Sequence, residues 1–176
     1  MLTLKWFMGD REDLKDIRSI RKQVFVEELG LSPELEDDGQ DGSCLHLVAY
    51  ESGLPISTGR VMITNEDFIL SRIATIKEHR NQGIATGIIE ALVEACVQMG
   101  GTRQVLHSQV SSKAFYEKIG FKAYDVEFLC LGLPHVAMEH FGGLRKCKGC
   151  MNHEDRRGRE AALCEAKSID GKGCSG

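Results

Sequence analysis

What the chain lacks narrows its function before any motif is read. No apolar run reaches the roughly 18 residues that a membrane-spanning helix needs, and the first ten residues have neither the basic nor the apolar region of a secretory leader. A cytoplasmic location with no membrane partner is the expectation. Excess positive charge is missing too: 22 Lys and Arg stand against 26 Asp and Glu, a net of −4, so broad nucleic-acid binding is not expected. A cationic substrate suits that balance better. At 176 residues there is room for one domain with a sizeable core and a short appendage, not for two enzymatic domains. Internal repeats and long low-complexity tracts are also absent.

Charge and cysteine are unevenly spread. Residues 142–176 carry eight Lys or Arg against five Asp or Glu, a net of +3, which leaves residues 1–141 at −7. That C-terminal stretch has few large apolar residues and can bury little on its own. It holds Cys147, Cys150, Cys164 and Cys174, with His153 between them. A domain over 1–141 and a Cys-rich basic tail over 142–176 follow. The Cys147–Cys150 CxxC and the two later cysteines are enough ligands for a tetrahedral zinc site, although the second pair is not a compact knuckle. The alternatives are a flexible tail of reduced thiols or a redox-sensitive Cys147–Cys150 disulfide, which cytosolic conditions disfavour.

Within 1–141 the hydrophobic periods place the elements. Residues 2–8 alternate as a first strand. Asp10 then suits the N-cap of a helix that puts Leu14, Ile17, Ile20 and Val24 on one face and ends near Gly30. The acidic stretch 31–42 reads as a loop. Strands over 44–50 and 56–63 flank a turn-rich connection, as in an antiparallel hairpin, and 68–76 reads as a more buried strand. From 82 to 99 apolar residues recur every three or four positions until Gly100 and Gly101 stop them, the clearest helix in the chain. A strand around Val105 and Leu106, a helix over 111–119 and a strand pair over 121–131 and 135–141 complete a β-α-β-β-β-α-β-α-β-β order. That order implies a mixed sheet with helices on its faces.

The strand-to-helix junction Arg80-Asn81-Gln82-Gly83-Ile84-Ala85-Thr86 carries the first chemistry. The opening N–H groups of a helix point at one spot and bring the positive end of its dipole, so an anion fits there. Gly83 and Ala85 lack bulk and let phosphate oxygens come close, and Arg80 adds a charge-assisted contact. Small residues at a helix start also serve close packing against a sheet. The loop is neither a Walker loop nor a three-glycine dinucleotide turn.

The combination of motifs resembles the GNAT acetyltransferase superfamily. Arg80-Asn81-Gln82-Gly83-Ile84-Ala85 matches its Arg/Gln-x-x-Gly-x-Gly/Ala motif after the fourth strand, and Ala114-Phe115-Tyr116-Glu117-Lys118-Ile119-Gly120-Phe121 is similar to its later helix-to-strand segment. Arg21 to Glu28, His46 to Tyr50, Thr58-Gly59-Arg60 and Pro134-His135-Val136 resemble a bacterial subgroup of small acetyltransferases. The resemblance covers 1–141 and says nothing of the tail. It implies an α+β fold whose central, mostly antiparallel sheet splays between strands four and five, with acetyl-CoA in the gap. Ile73, Ala74 and Thr75 would then hold the pantetheine arm, and Arg80, Asn81, Gln82, Gly83, Ile84, Ala85 and Thr86 the diphosphate.

Such a fold implies an acetyl-CoA-dependent N-acetyltransferase acting on the primary amine of a small molecule by direct attack in a ternary complex. The alternative is an acetyl-CoA sensor or a degenerate relative working through a partner. Many relatives are dimers, so a homodimer is also implied. An alkylammonium has a pKa near 10.4 and must lose a proton before it attacks, so a base is required. The candidates are Glu27, Glu28, His46, His107 and His135. Glu28 and His107 join Tyr116, which by resemblance donates to the departing sulfur and also lines the cofactor site, as the expected catalytic set. Glu28 and the acidic loop with Asp37, Asp38 and Asp41 also suit attraction of a cation. One departure is Ser111, where many relatives have the Asn that touches pantetheine. No cysteine is placed as a nucleophile, and direct transfer needs none.

Overall fold

A computed structural model describes residues 1–9, 14–64, 67–130 and 132–142, and within them eight strands and four α-helices follow one another. β1 spans Leu2–Met8, β2 Leu45–Glu51, β3 Leu54–Ile63, β4 Phe68–Thr75 and β5 Arg103–Gln109. β6 is Lys122–Ala123, β7 Phe128–Cys130 and β8 Leu133–Phe141. They lie in the order β1-β2-β3-β4-β5-β8-β6, with β7 also paired to β8. Each pairing is antiparallel except β4–β5, which is parallel. This is the mixed sheet that the element order implies.

The helices cover both faces because the strands alternate. α3, Ile84–Gln98, buries Ile84, Ile88, Ile89, Leu92, Val93 and Cys96 against Leu47, Ala49, Ile56, Val61 and Leu70 of one face. α4, Lys113–Ile119, packs Phe115, Tyr116 and Ile119 on that same cluster beside Phe121. Gly59 of β3 permits this approach: a Cβ there would come within 2.7 Å of Leu92 Cδ1 and 2.9 Å of Ile88 Cγ2, so a side chain would push α3 off the sheet. The opposite face carries α1, Lys15–Arg21, with Leu14, Ile17, Ile20 and Val24 buried on Val48, Tyr50 and Ala74. The expected apolar face of the first helix is the one that packs. Its expected cap, Asp10, lies outside the described residues.

Three elements differ from the sequence reading. The first helix loosens into π-helical turns over Lys22–Glu28 before Gly30 ends it at φ +72°. The acidic loop contains a short helix, α2, Pro33–Glu36, and a 3-10 turn, Asp41–Ser43. The strand expected over 121–131 is broken into β6 and β7, because Asp125 accepts a hydrogen bond from the Val126 amide at 2.7 Å and turns the backbone aside between them.

Candidate active site

β4 and β5 pair only at Phe68–Gln104 and Ile69–Val105, then part. β3 remains bonded to β4 past that point, with Thr58 opposite Ala74 and Ser57 opposite Thr75. A bulge between Thr58 and Arg60 throws Arg72 of β4 into left-handed backbone at φ +53°, costly for a non-glycine residue and here fixed by the surrounding pairing. The gap opens into a cleft of about 690 Å³. Its walls bring together the β4 segment with Ile73, Ala74 and Thr75, His107 of β5, Tyr116 of α4, Glu28 and Arg80, and His135 of β8. The splay expected between strands four and five is present.

The start of α3 sits at one end of this cleft, where Ala85 lines it. Asn81 at φ +60° and Gly83 at φ +78° form a tight turn, and Gly83 is the N-cap with no side chain to cap the helix. The first intrahelical bond runs from the Gly87 amide to the Gly83 carbonyl at 3.0 Å, which leaves the amides of Gly83, Ile84, Ala85 and Thr86 without helical acceptors. Asn81, Gln82 and Gly83 are exposed, and a Cβ on Gly83 would meet no atom within 4 Å. An anion therefore has both the donors and the room. Arg80 does not reach outward there. Its Nε donates to the Thr75 carbonyl at 2.9 Å, and its two Nη atoms donate to Glu28 Oε1 and Oε2 at 2.7 and 2.6 Å. Those bonds hold the Glu28 carboxyl below its usual range.

The base candidates separate cleanly. His107 and His135 line the cleft around Phe128, whose ring lies 5.0 Å from that of His107 and 6.2 Å from that of His135. Desolvation, and then the nearby His135, lower the pKa of His107 below the ordinary imidazole value. Glu27 is exposed, off the cleft, and paired with Lys22 at 3.3 Å. His46 is fully buried on β2 with Nε2 3.0 Å from the Asp41 carbonyl, so it touches no cleft and cannot reach an acceptor. Tyr116 lies edge-on to Phe115 and Phe121, with centroids 5.1 and 6.0 Å apart, and burial pushes its phenol up to about 12. Ser111 lies in the 3-10 turn Val110–Ser112, whose Ser112 lines the cleft.

The acidic loop is not a free lure for cations. Asp41 accepts from Arg21 Nη1 at 2.8 Å on both oxygens and from Arg60 Nη1 at 2.9 Å. Asp38 accepts from Arg60 at 2.8 and 2.6 Å and from Arg72 at 3.1 Å, while Arg21 Nε also bonds Glu36. Three arginines thus neutralise three carboxylates and hold the loop on the sheet. Burial alone would raise the pKa of Asp41, but Arg21 and then Arg60 overcome it and the net shift is downward. Sequence reasoning missed this cluster and Arg72 within it. The available signal was Arg72 itself, the one charged residue of β4.

The cysteines considered for zinc, Cys147, Cys150, Cys164 and Cys174, lie outside the described residues, as does the whole stretch 143–176. Among the described residues no group of three or more His, Cys, Asp and Glu is placed to hold a metal, and no helix is long and apolar enough to cross a membrane.

A sheet that opens between two parallel strands, with an uncapped helix start at the mouth of the gap, defines an acyl-CoA-binding fold. Comparison with known proteins agrees. The acetyltransferase (GNAT) domain profile matches residues 14–140. The chain is 33% identical over 130 residues to the uncharacterized N-acetyltransferase YjcF of Bacillus subtilis (strain 168), covering 73% of this chain and 93% of that protein. Among solved structures it resembles an acyl-CoA N-acyltransferase from Pseudomonas aeruginosa, with a TM-score of 0.68, 25% identity and coverage of 78% of this chain and 99% of that one. The fold is shared with the PaiA N-acetyltransferase of Thermoplasma acidophilum, solved in complex with coenzyme A, at a TM-score of 0.59, 16% identity and coverage of 80% and 99%. The chain belongs to the GNAT acetyltransferase family and is an acetyl-CoA-dependent acyltransferase.

Proposed function

We propose that the protein acetylates a primary amine of a small molecule, the amine attacking the thioester directly while both substrates are bound. One observation carries this reading: a single cleft joins the start of α3 at Ala85, the parted edge of β4, the Tyr116 phenol and the imidazoles of His107 and His135. The amides of Gly83, Ile84, Ala85 and Thr86 grip the diphosphate, helped by Arg80, Asn81 and Gln82. Backbone groups of Ile73, Ala74 and Thr75 align the pantetheine arm so that its acyl end lies beside Tyr116.

The roles of the side chains follow from their acidity. His107, with its lowered pKa, is neutral at pH 7 and free to take the proton of the amine, directly or through a water. As the nitrogen–carbon bond forms and the carbon–sulfur bond breaks, the developing charge falls on sulfur. A phenol at about 12 is a much weaker acid than a thiol at about 8.5, so Tyr116 donates a hydrogen bond to sulfur and keeps its proton. Calorimetry with acetyl-CoA, followed by mass spectrometry of an amine panel, tests the proposal. It predicts saturable binding and at least one product heavier by an acetyl group. Binding with no product from any amine would leave an acetyl-CoA sensor instead.

A further inference from the structure

A cationic acceptor needs an anion in the cleft, and Glu28 is the one carboxylate among its described lining residues. The neighbouring carboxylates do not help, because Glu36, Asp38 and Asp41 are taken up by Arg21, Arg60 and Arg72. Glu28 is neutralised as well, since both its oxygens are bonded to Arg80. Yet the Arg80 guanidinium is the side-chain cation of the loop whose amides lie free for a diphosphate, and it is a third exposed, so it can swing. A diphosphate carries more charge than one carboxylate and would compete for that guanidinium in the field of the helix start.

Resting on the proposed acetyltransferase reading, we propose that Arg80 is exchanged between Glu28 and the diphosphate of coenzyme A, so that cofactor binding frees the Glu28 carboxylate to anchor the acceptor's ammonium. The amine site is then assembled by the cofactor. Glu28 acts as a binding residue for the amine, and Arg80 is what switches it.

Calorimetry of the full chain with coenzyme A gives a test whose sign is decisive. In Glu28→Gln the competitor for Arg80 is weakened, so coenzyme A binds roughly twofold to fivefold more tightly, the range for a solvent-accessible ion pair. If Glu28 merely braces Arg80 for the diphosphate, the same variant binds more weakly. Unchanged or weakened affinity overturns the exchange. In an Arg80→Ala background the gain from Glu28→Gln vanishes. A gain that persists there reflects plain repulsion between Glu28 and phosphate and also overturns it. The amine limb uses n-butylammonium, followed by NMR line broadening. Broadening is expected with coenzyme A present, and not with the free protein or with Glu28→Gln. Equal broadening with and without coenzyme A, or none in either state, refutes the assembled site. Wild-type protein that fails to bind coenzyme A at all would sink the acetyltransferase reading itself, an outcome distinct from all of these.

Discussion

Replacing Asp41 with Asn tests the ion-pair cluster that holds the acidic loop against the sheet. Asp41 is only 4% exposed and bridges Arg21, 1% exposed, and Arg60, 3% exposed. The substitution keeps the shape but removes one of the three carboxylates that balance three arginines, leaving a net buried positive charge. Removing one partner of a buried pair costs about 3–5 kcal/mol, a large share of the roughly 5–15 kcal/mol that holds a domain together. At about 2–4 °C per kcal/mol for a chain of this size, Asp41→Asn lowers Tm by roughly 6–20 °C. Thermal melting followed by circular dichroism at pH 7 measures it. The pH dependence fixes the sign: the folded pKa of Asp41 is lowered, so its contribution is fully present above the unfolded value near 3.9 and is lost as pH falls through the folded value. The gap between variant and wild type is therefore constant at neutral pH and closes in strong acid. A loss below about 1 kcal/mol at pH 7, typical of solvent-exposed pairs, would refute the claim that the loop is pinned by buried charge.

The site makes three further predictions. Tyr116→Phe removes the donor to the leaving sulfur and lowers kcat roughly 100-fold while the affinity for coenzyme A stays near wild type; steady-state rates and calorimetry check both, and unchanged kcat would remove Tyr116 from the chemistry. In the proposed mechanism His107 works as a neutral imidazole, and its pKa is lowered from the ordinary imidazole value, so kcat/KM is expected to hold through neutrality and to fall only on the acid side of that value. In His107→Gln the remaining rate loses that acid limb. Gly83→Glu puts a carboxylate against the diphosphate and a β-carbon on backbone at φ +78°, and abolishes binding of coenzyme A. Gly83→Asn, tolerated in that backbone and meeting open space, separates charge from strain by staying within about tenfold of wild type.

Much of this architecture could be read from sequence because it depends on local periods. Ile84, Ile88 and Leu92 recur at helical spacing and are buried, and Gly100 stops α3 in left-handed backbone at φ +87°. The open turn before α3 was equally legible, since Asn81, Gly83 and the helix residues after them are consecutive. What escaped depends on residues far apart in sequence. Asp38 and Asp41 read as a free acidic patch until Arg60, 22 and 19 positions later, bonds both and Arg72, 34 positions after Asp38, bonds Asp38. His46 looked as eligible a base as His107, because both sit in strands and only the sheet order puts one in the core and the other in the cleft. The break between β6 and β7 rests on one Asp125 side chain bonding its neighbour's amide, which no apolar period reveals.

Backbone NMR of the isotope-labelled protein during a coenzyme A titration tests most directly whether the open turn before α3 is the diphosphate cradle. The largest amide proton shifts, downfield as the N–H groups gain an anionic acceptor, are expected at Gly83, Ile84, Ala85 and Thr86. Saturation of binding with those four resonances unmoved, and the large shifts elsewhere, would contradict it.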